Sequence, residues 1–347
     1  MRGVVFLGNR QLQLAEFPDP TPGPHDVVVE IKASGMCGSD LKFYRASGET
    51  SSLGLGKLSG PVIAGHEPCG VVAALGAAVT ERTARVGARV MVHHYSGCGV
   101  CPHCQSGWSQ MCVEGSTVYG VTGHGAHAPY MKVPAHTLVA LPDELTFATG
   151  AAISCGTGTA YQALRRMKLA GGDTIVIVGQ GPVGLSATQF AAAMGARVIA
   201  VDPSAERLAR ACELGADAVI DPKSGDPVAS VKAMTHGLGA DMALDTSGVS
   251  AGRLIVVRGT RAWGIACFVG EGGDVTISVS PDMLRKQLTI MGSWTFSKVI
   301  QAECARFVAD RKIAVEMLFT DRWKLGEADE AYRRFDRQTS GKGVFLM

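Results

Sequence analysis

The chain has 347 residues, of which 46% are hydrophobic and 18% are charged, and its formal net charge is +2. This length exceeds one ordinary hydrophobic core, so the composition predicts a compact protein of two domains. The small net charge gives no electrostatic case for binding nucleic acid or a membrane, and no apolar run approaches the ~18 residues of a spanning helix. Residues 1–10 are interrupted too early to be a signal peptide and predict a first strand, so we expect a cytoplasmic protein.

The first 150 residues or so predict short strands separated by glycine and proline, which is typical of a β-barrel-like domain. After the strand at residues 1–10, the expected strands are Asp26–Ala33, Cys69–Leu75 and Ala88–Val92. The stretch Ala46–Gly60 is rich in glycine and serine and predicts a mobile loop.

The pattern changes near Ala151, after which helices and strands alternate. The predicted helices are 160–168, 185–194 and 205–214, and the predicted strands are 174–178, 197–201, 218–220, 242–244, 264–269 and 290–292. Such alternation predicts βαβ units and a parallel sheet covered on both faces. The tail is too short for another domain, so we expect it to return to the first domain, where Val344–Leu346 adds a strand.

Ten cysteines in a long chain without an export signal favour metal binding or catalysis over disulfides. Four of them crowd together, at Cys98, Cys101, Cys104 and Cys112. Four thiolates suit tetrahedral zinc, and a closed set of cysteines leaves no position for a substrate. We therefore predict a structural zinc that holds a lobe at about residues 96–113, with an iron–sulfur cluster as the competing metal and His103 as an exposed loop residue.

A second candidate site is Gly65-His66-Glu67, with Cys37 and Cys155 far off on either side. Zinc accepts thiolate, imidazole and carboxylate ligands, and a catalytic zinc keeps three protein ligands and one open position. An oxygen bound at the open position loses its proton more easily. The pattern therefore predicts a metal site that is assembled by folding.

A glycine-rich loop follows the predicted strand 174–178 and opens a helix. Its sequence, Gly179-Gln180-Gly181-Pro182-Val183-Gly184, matches the dinucleotide-binding pattern in the context that makes the pattern informative. The glycines allow a tight turn and a close approach to a pyrophosphate, which the helix N-terminus favours. Asp202, at the end of the next strand, would bind the ribose hydroxyls and repel a 2′-phosphate, which favours NAD over NADP. The nearby Arg207 weakens this argument, so use of both cofactors stays open.

With these motifs in hand, the sequence resembles the zinc-dependent alcohol dehydrogenases of the medium-chain dehydrogenase/reductase superfamily over nearly its whole length. The resemblance rests on Gly35-Met36-Cys37-Gly38-Ser39-Asp40, Gly65-His66-Glu67, the four-cysteine lobe, Cys155, and the glycine loop with Asp202. It implies a GroES-like catalytic domain, residues 1–154 and 293–347, split around a Rossmann domain, residues 155–292, with the active site in the cleft between them.

The resemblance also implies roles for individual residues. Cys37, His66 and Cys155 match the catalytic zinc ligands, and two cysteines with one histidine are the ligand set for which alcohol dehydrogenase is the standard example. Asp40 matches a carboxylate that orients the ligand histidine, and Ser39 matches the hydroxyl that takes the alcohol proton. Glu67 could approach the metal as an alternative ligand when the open position changes its occupant. A glutamate is a standing ligand in the polyol dehydrogenase branch, whereas Cys155 favours the alcohol dehydrogenase pattern, so the role of Glu67 stays open.

One departure concerns the proton relay, because Lys42 occupies a position where relay-bearing members often have histidine. A lysine is normally protonated at neutral pH, so it would serve as an electrostatic aid or as a solvated surface residue rather than as a base. The candidates for the substrate pocket are His94, Tyr44, Leu53, Leu55, Trp108 and Trp294.

The activity implied is NAD-linked oxidation of a primary or secondary alcohol to an aldehyde or ketone, and the reverse, with two zinc ions per subunit. A polyol or amino-alcohol dehydrogenase is the rival within the superfamily. A redox sensor that binds zinc and NAD without turnover is a rival of another class. The expected partner is a small alcohol or carbonyl compound, and a homotetramer or homodimer is implied.

Overall fold

The structure is a computed structural model that describes residues 1–47, 60–338 and 341–347. The chain forms two compact units. The first comprises Met1–Gly158, Phe296–Arg337 and Lys342–Met347, and the second consists mainly of Thr159–Thr295. The expected boundaries, at 154/155 and 292/293, lie a few residues before these, so Cys155 lies in the first unit rather than at the start of the second. The expected loop at Ala46–Gly60 falls almost wholly outside the described residues.

The first unit is built on a seven-stranded sheet. The strands of the unit as a whole, including those outside this sheet, are β1 (Arg2–Gly8), β2 (Gln11–Glu16), β3 (Asp26–Gly35), β4 (Pro68–Leu75), β5 (Arg89–Val92), β6 (Tyr95–Ser96), β7 (Thr117–Val118), β8 (Tyr130–Pro134), β9 (Leu138–Ala140), β16 (Phe319–Trp323) and β17 (Lys342–Leu346). The order in the large sheet is β16-β17-β3-β4-β5-β9, with β8 also paired to β3, while β1 with β2 and β6 with β7 form two-stranded sheets. Antiparallel pairing of Val344 with Gly35 confirms that the last strand joins this unit.

Strand β3 is the centre of this sheet because it pairs with β4, β8 and β17. Val27, Val29 and Ile31 pack into a core with Val72, Val90 and Met131. The helices of the first unit are α1 (Asp40–Arg45), α2 (Pro102–Gln105), α3 (Phe147–Ile153), α9 (Lys298–Asp310) and α10 (Ala328–Asp336), and α4 (Gly156–Met167) begins there and continues into the second unit. A second core joins α1, α10 and β17 through residues that include Met36, Tyr44, Tyr332 and Phe345.

The second unit is a parallel sheet with intervening helices, as the alternation predicts. Its strands are β10 (Thr174–Val178), β11 (Arg197–Val201), β12 (Ala218–Ile220), β13 (Ala240–Asp245), β14 (Thr260–Phe268) and β15 (Thr289–Gly292), in the order β12-β11-β10-β13-β14-β15. The helices are α5 (Pro182–Ala193), α6 (Ala205–Glu213), α7 (Pro227–Met234) and α8 (Ser250–Gly259). The strand order reverses beside β10, which is where ligands bind in folds of this kind.

Two helices of the second unit, α7 and α8, were not predicted individually from the sequence. The first has a local signal, because the Asp226 side chain accepts hydrogen bonds from the amides of Val228 and Ala229 at its N-terminus. The second begins after Val249 without a side-chain cap, so little in its local sequence marks its start. None of the helices among the described residues is long and apolar enough to cross a membrane.

Candidate metal sites and nucleotide loop

Folding brings Cys37, His66 and Cys155 together although they are far apart in the sequence. Cys37 follows β3, His66 precedes β4, and Cys155 lies between α3 and α4. One ligand atom from each residue lies within 4.8 Å of the other two, and all three residues are buried. The two sulfur atoms are 3.9 Å apart, far beyond the ~2.05 Å of a disulfide bond. Two thiols and an imidazole that converge without bonding to one another fit a single zinc ion.

Asp40 and Ser39 surround the imidazole of this group. Asp40 Oδ1 lies 2.9 Å from His66 Nδ1, and Ser39 Oγ lies 3.0 Å from His66 Nε2 and donates to Cys37 Sγ at 3.3 Å. Burial lowers the pKa of His66, but the negative charges of Asp40 and Cys37 outweigh burial and raise it well above its usual value. The same charges favour a cation at this point. Because Nδ1 faces the Asp40 carboxylate, Nε2 is the nitrogen left for a metal.

Glu67 lies outside the three residues whose ligand atoms converge. Its Oε2 is 2.5 Å from Lys342 Nζ, both side chains are at most 1% exposed, and its Oε1 accepts from the amide of Gly156 at 3.3 Å. Lys342 also donates to the carbonyl of Met36 at 3.1 Å. Burial alone lowers the pKa of Lys342, but the Glu67 carboxylate outweighs this and raises it. Burial raises the pKa of Glu67 to about 8, although the positive charge of Lys342 lowers it. Lys342 thus engages Glu67 directly, and a carboxyl group engaged in this way is a less available metal ligand.

The lobe around residues 96–113 gathers the other four predicted cysteines. The sulfur atoms of Cys98, Cys101, Cys104 and Cys112 all lie within 4.8 Å of one another, and all four are free thiols. The amide of Cys98 donates to Cys112 Sγ at 3.3 Å, and the amide of Cys101 donates to Cys98 Sγ at 3.4 Å. Such amide donors stabilise thiolates. The four thiols thus fit a tetrahedral zinc, and His103 is not among the converging groups.

The glycine loop of the second unit turns tightly after β10. Gly179 has φ of +91°, and a side chain there would lie 2.9 Å from the amide nitrogen of Ser247. A side chain at Gly184 would lie 1.8 Å from the Gly179 carbonyl oxygen, whereas one at Gly181 would meet nothing within 4 Å. Packing therefore explains Gly179 and Gly184, while Gly181 borders open space beside the start of α5. Pro182 and Val183 form the first turn of that helix.

Asp202 follows β11 and is only 3% exposed. One carboxylate oxygen accepts from the amide of Gln180 at 2.7 Å, and the other accepts from the amide of Ser204 at 2.9 Å. Arg207 lies 3.9 Å from the same carboxylate. Asp202 thus anchors the glycine loop, a structural role that the sequence analysis did not foresee. Each carboxylate oxygen keeps a further lone pair that could accept from a ribose hydroxyl.

The residues proposed for the substrate pocket and the proton relay differ in burial and in their distance from the metal ligands. Tyr44 is wrong as a pocket residue, because it is fully buried in the core and packs on Tyr332 with ring centroids 5.5 Å apart. His94 is buried with its ring centroid 5.2 Å from that of His66, and its Nδ1 lies 2.9 Å from the Ser154 carbonyl oxygen. Lys42 is exposed on α1, and its role in a relay stays a prediction.

The two tryptophans and two leucines complete this set of candidates. Trp294 belongs to the second unit, is 43% exposed and donates to Glu271 at 2.5 Å. Trp108 is partly buried and directly precedes the turn Ser109–Met111 in the four-cysteine lobe. Leu53 and Leu55 lie outside the described residues.

Sequence reasoning missed three buried polar residues near the metal ligands: Lys342, Tyr332 and His127. Lys342 opens an otherwise apolar strand, which was the only signal for it. Tyr332 and His127 bond to each other at 2.7 Å, and Tyr332 donates to Asp40 at 3.1 Å. The contacts of Tyr332 with His127 and with Asp40 span 205 and 292 residues of the sequence, so only the fold reveals them.

A barrel-like unit with two zinc-compatible sites and a Rossmann unit with a dinucleotide loop together define a zinc-binding dehydrogenase. Residues 23–143 match the alcohol dehydrogenase GroES-like domain, and residues 182–310 match the zinc-binding dehydrogenase family. The chain therefore belongs to the zinc-type alcohol dehydrogenases of the medium-chain dehydrogenase/reductase superfamily, a family of oxidoreductases that act on alcohols and polyols. The predictions of family and of fold class are confirmed.

Individual relatives cover nearly the whole chain. An uncharacterised zinc-type alcohol dehydrogenase-like protein of Escherichia coli is 40% identical over 99% of this chain and 98% of its own length. A sorbitol dehydrogenase of Bacillus subtilis is 29% identical over 96% of this chain and 93% of its own. The solved structure of an alcohol dehydrogenase from a Thermus species superposes with a TM-score of 0.87 at 28% identity, covering 100% of this chain and 99% of that one.

Proposed function

We propose that the protein oxidises a primary or secondary alcohol to an aldehyde or ketone, and catalyses the reverse reaction, by hydride transfer to NAD. The observation that carries the proposal is the convergence of Cys37, His66 and Cys155 in a buried cluster whose ligand atoms lie within 4.8 Å. When bound there, zinc would act as a Lewis acid that polarises the substrate oxygen and lowers the pKa of the alcohol. A second zinc, held by the four cysteines of the lobe, would be structural.

The surrounding side chains have separate tasks in this proposal. Asp40 fixes His66 with Nδ1 as the donor, which leaves Nε2 for the metal. Ser39 Oγ, 3.0 Å from that nitrogen, is placed to accept the proton of an alcohol. Lys342 keeps Glu67 Oε2 engaged at 2.5 Å, so we assign Glu67 a structural role at the edge of the site rather than that of a standing ligand. We give the exposed Lys42 no direct part in proton transfer.

NAD is the proposed cofactor because of the glycine loop and Asp202. Gly179, Gly181 and Gly184 with the N-terminus of α5 would hold the pyrophosphate, and the Asp202 carboxylate would take the ribose hydroxyls. A 2′-phosphate would meet the negative charge of Asp202, although Arg207 is close enough to offset part of it. NADP is therefore expected to bind more weakly rather than not at all.

Oxidation of a polyol is a second candidate, and the position of His94 favours it. Its buried imidazole lies beside His66, so it offers a polar contact for a second hydroxyl near the reacting carbon. The similarity to a sorbitol dehydrogenase agrees with this alternative. A sensor without turnover is not supported, because Ser39 and the complete set of ligands are present.

We further propose a small alcohol or carbonyl compound as the partner, a homotetramer or homodimer as the assembly, and the cytoplasm as the location.

A screen of NAD reduction tests the proposal. Secondary alcohols, primary alcohols, polyols and threonine would each be offered to the purified enzyme, with and without a zinc chelator, and with NADP as a parallel cofactor. Chelator-sensitive reduction of NAD by one of these classes is expected. Absence of turnover with every class in a protein that holds both zinc ions and binds NAD would contradict the proposal and favour the sensor.

A further inference from the structure

A line of buried polar contacts leads from β3 to His66. Ser34 Oγ and His127 Nδ1 are 2.7 Å apart, and His127 Nε2 and Tyr332 Oη are 2.7 Å apart. Tyr332 donates to Asp40 Oδ2 at 3.1 Å, and Asp40 Oδ1 lies 2.9 Å from Nδ1 of His66. All five residues are at most 4% exposed. A polar chain of this length is costly to bury unless its members satisfy one another.

The direction of these hydrogen bonds is fixed by their last member. A carboxylate only accepts, so the hydroxyl of Tyr332 must donate to Asp40. The phenol oxygen then accepts from His127, which must carry its proton on Nε2. His127 Nδ1 is left as an acceptor, so Ser34 donates to it. Burial lowers the pKa of His127 to about 4, which agrees with a neutral ring. Every donor in the line therefore points towards Asp40.

Asp40 collects three contacts that tie the metal ligands together. The amide of Cys37 donates to Oδ2 at 2.9 Å, Tyr332 donates to the same oxygen, and His66 lies against Oδ1. The carboxylate is thus oriented by one ligand backbone, by one ligand side chain and by Tyr332. Among these, only Tyr332 comes from α10, in the distant C-terminal part of the chain.

His127 also packs against the backbone that carries His66. A side chain added at Gly65 would lie 2.4 Å from His127 Nδ1, and the amide of His127 donates to the carbonyl of Ala64 at 2.9 Å. The rings of Phe345 and His127 meet edge to face, with centroids 4.7 Å apart. The histidine is therefore clamped, and it can hold the hydroxyl of Tyr332 in one orientation.

We propose that Tyr332 and His127 are positioning residues that act through Asp40 to hold His66 on the catalytic metal. Tyr332 restrains the carboxylate that orients the imidazole, and His127 restrains Tyr332. Neither residue is among the groups that converge as metal ligands. The inference rests on the proposed catalytic zinc at Cys37, His66 and Cys155.

The test measures zinc release from the purified holoenzyme into an excess of a chromophoric chelator. The wild-type protein is expected to release two zinc ions per chain, one from each site, in separable phases that Cys37→Ser assigns. Tyr332→Phe removes one hydroxyl and keeps the ring, so release from the catalytic site is expected to become roughly tenfold faster while release from the lobe is unchanged. The lobe is thus an internal control for general loosening of the fold.

Tyr44→Phe is the matched control. This neighbouring tyrosine is also fully buried, and its hydroxyl has no hydrogen-bond partner among the described residues. Loss of the Tyr44 hydroxyl is expected to leave the rates of both phases of zinc release unchanged. His127→Phe should accelerate release from the catalytic site like Tyr332→Phe, and the double variant should add little, because both changes remove the same restraint. His127→Gln, which can still donate to the phenol oxygen, should recover part of the slow release.

The contrary results are distinct. If Tyr332→Phe and Tyr44→Phe release zinc from the catalytic site at the same rate, or if Tyr332→Phe accelerates both phases equally, the positioning role is wrong. If the wild-type protein releases only the zinc of the lobe, the proposed catalytic site itself fails, and the positioning role fails with it.

Discussion

The two cysteine sites of the first unit differ in how folding assembles them. The lobe takes its four thiols from residues 98 to 112, so a short loop brings them together with little help from the rest of the fold. The split site takes Cys37, His66 and Cys155 from the ends of separate strands and helices. Its ligands are buried, and they are surrounded by an ion pair and a line of hydrogen bonds. A local site can be closed and structural, whereas a site built from distant segments can be held rigidly and still leave a position open.

Removal of one ligand from the split site should have the largest effect on activity. Cys37→Ser is expected to lower kcat by roughly a thousandfold or more, because the Lewis acid is lost from the site. Zinc content should fall from two ions to one per chain, and binding of NADH, measured by calorimetry, should survive. Retained turnover in a preparation that has lost this zinc would contradict the role assigned to the site.

The same change in the lobe should affect stability instead. Cys112→Ser removes one of four thiolates, and metal binding in such a lobe is coupled to its folding, so we expect loss of the lobe zinc and rapid proteolysis within residues 96–113. The split site should still retain its metal in protein that stays folded. The comparison would break if Cys112→Ser emptied the split site and left the lobe resistant to protease.

The ion pair between Lys342 and Glu67 offers a test of how the split site is supported. Lys342→Met would leave a buried carboxylate without its counter-charge, which should lower the free energy of unfolding by about 3–5 kcal/mol. The double variant Lys342→Met with Glu67→Gln should regain most of this loss, because neither charge remains. Urea denaturation measures both effects. Equal stability of the single variant and the wild-type protein would show that water or another cation already screens Glu67.

Asp202 lies in the second unit, so its loss should leave both metal sites intact. Asp202→Ala should weaken the binding of NAD by roughly ten- to a hundredfold, because a charge-assisted contact to the ribose is lost. The affinity for NADP should change much less. Since Asp202 also anchors the glycine loop, Asp202→Asn is the control that can keep one of the two amide contacts. Calorimetric titration with NAD and with NADP measures the two affinities. An equal loss of affinity for both would show that Asp202 does not distinguish the 2′ position.

The same contrast explains what the sequence could predict. The strands 174–178 and 197–201 and the glycine loop follow from local patterns, and the structure places them as expected. The residue types at Cys37, His66 and Cys155 indicated a metal site assembled by folding, and the resemblance to a family then assigned these three residues as its ligands. Lys342, Tyr332 and His127 were missed because a buried polar residue gives no periodic signal, and its partner is set by the tertiary fold. Tyr44 was misplaced for the same reason, since nothing local separates a tyrosine of the core from one of a pocket.

Anomalous diffraction at the zinc absorption edge, from crystals of protein purified without added metal, tests the central claim most directly. The account predicts two peaks per chain, one among Cys37, His66 and Cys155 and one among the four cysteines of the lobe, with Glu67 remaining on Lys342. A single peak in the lobe, with the split site holding no metal in protein that still oxidises alcohols, would contradict it.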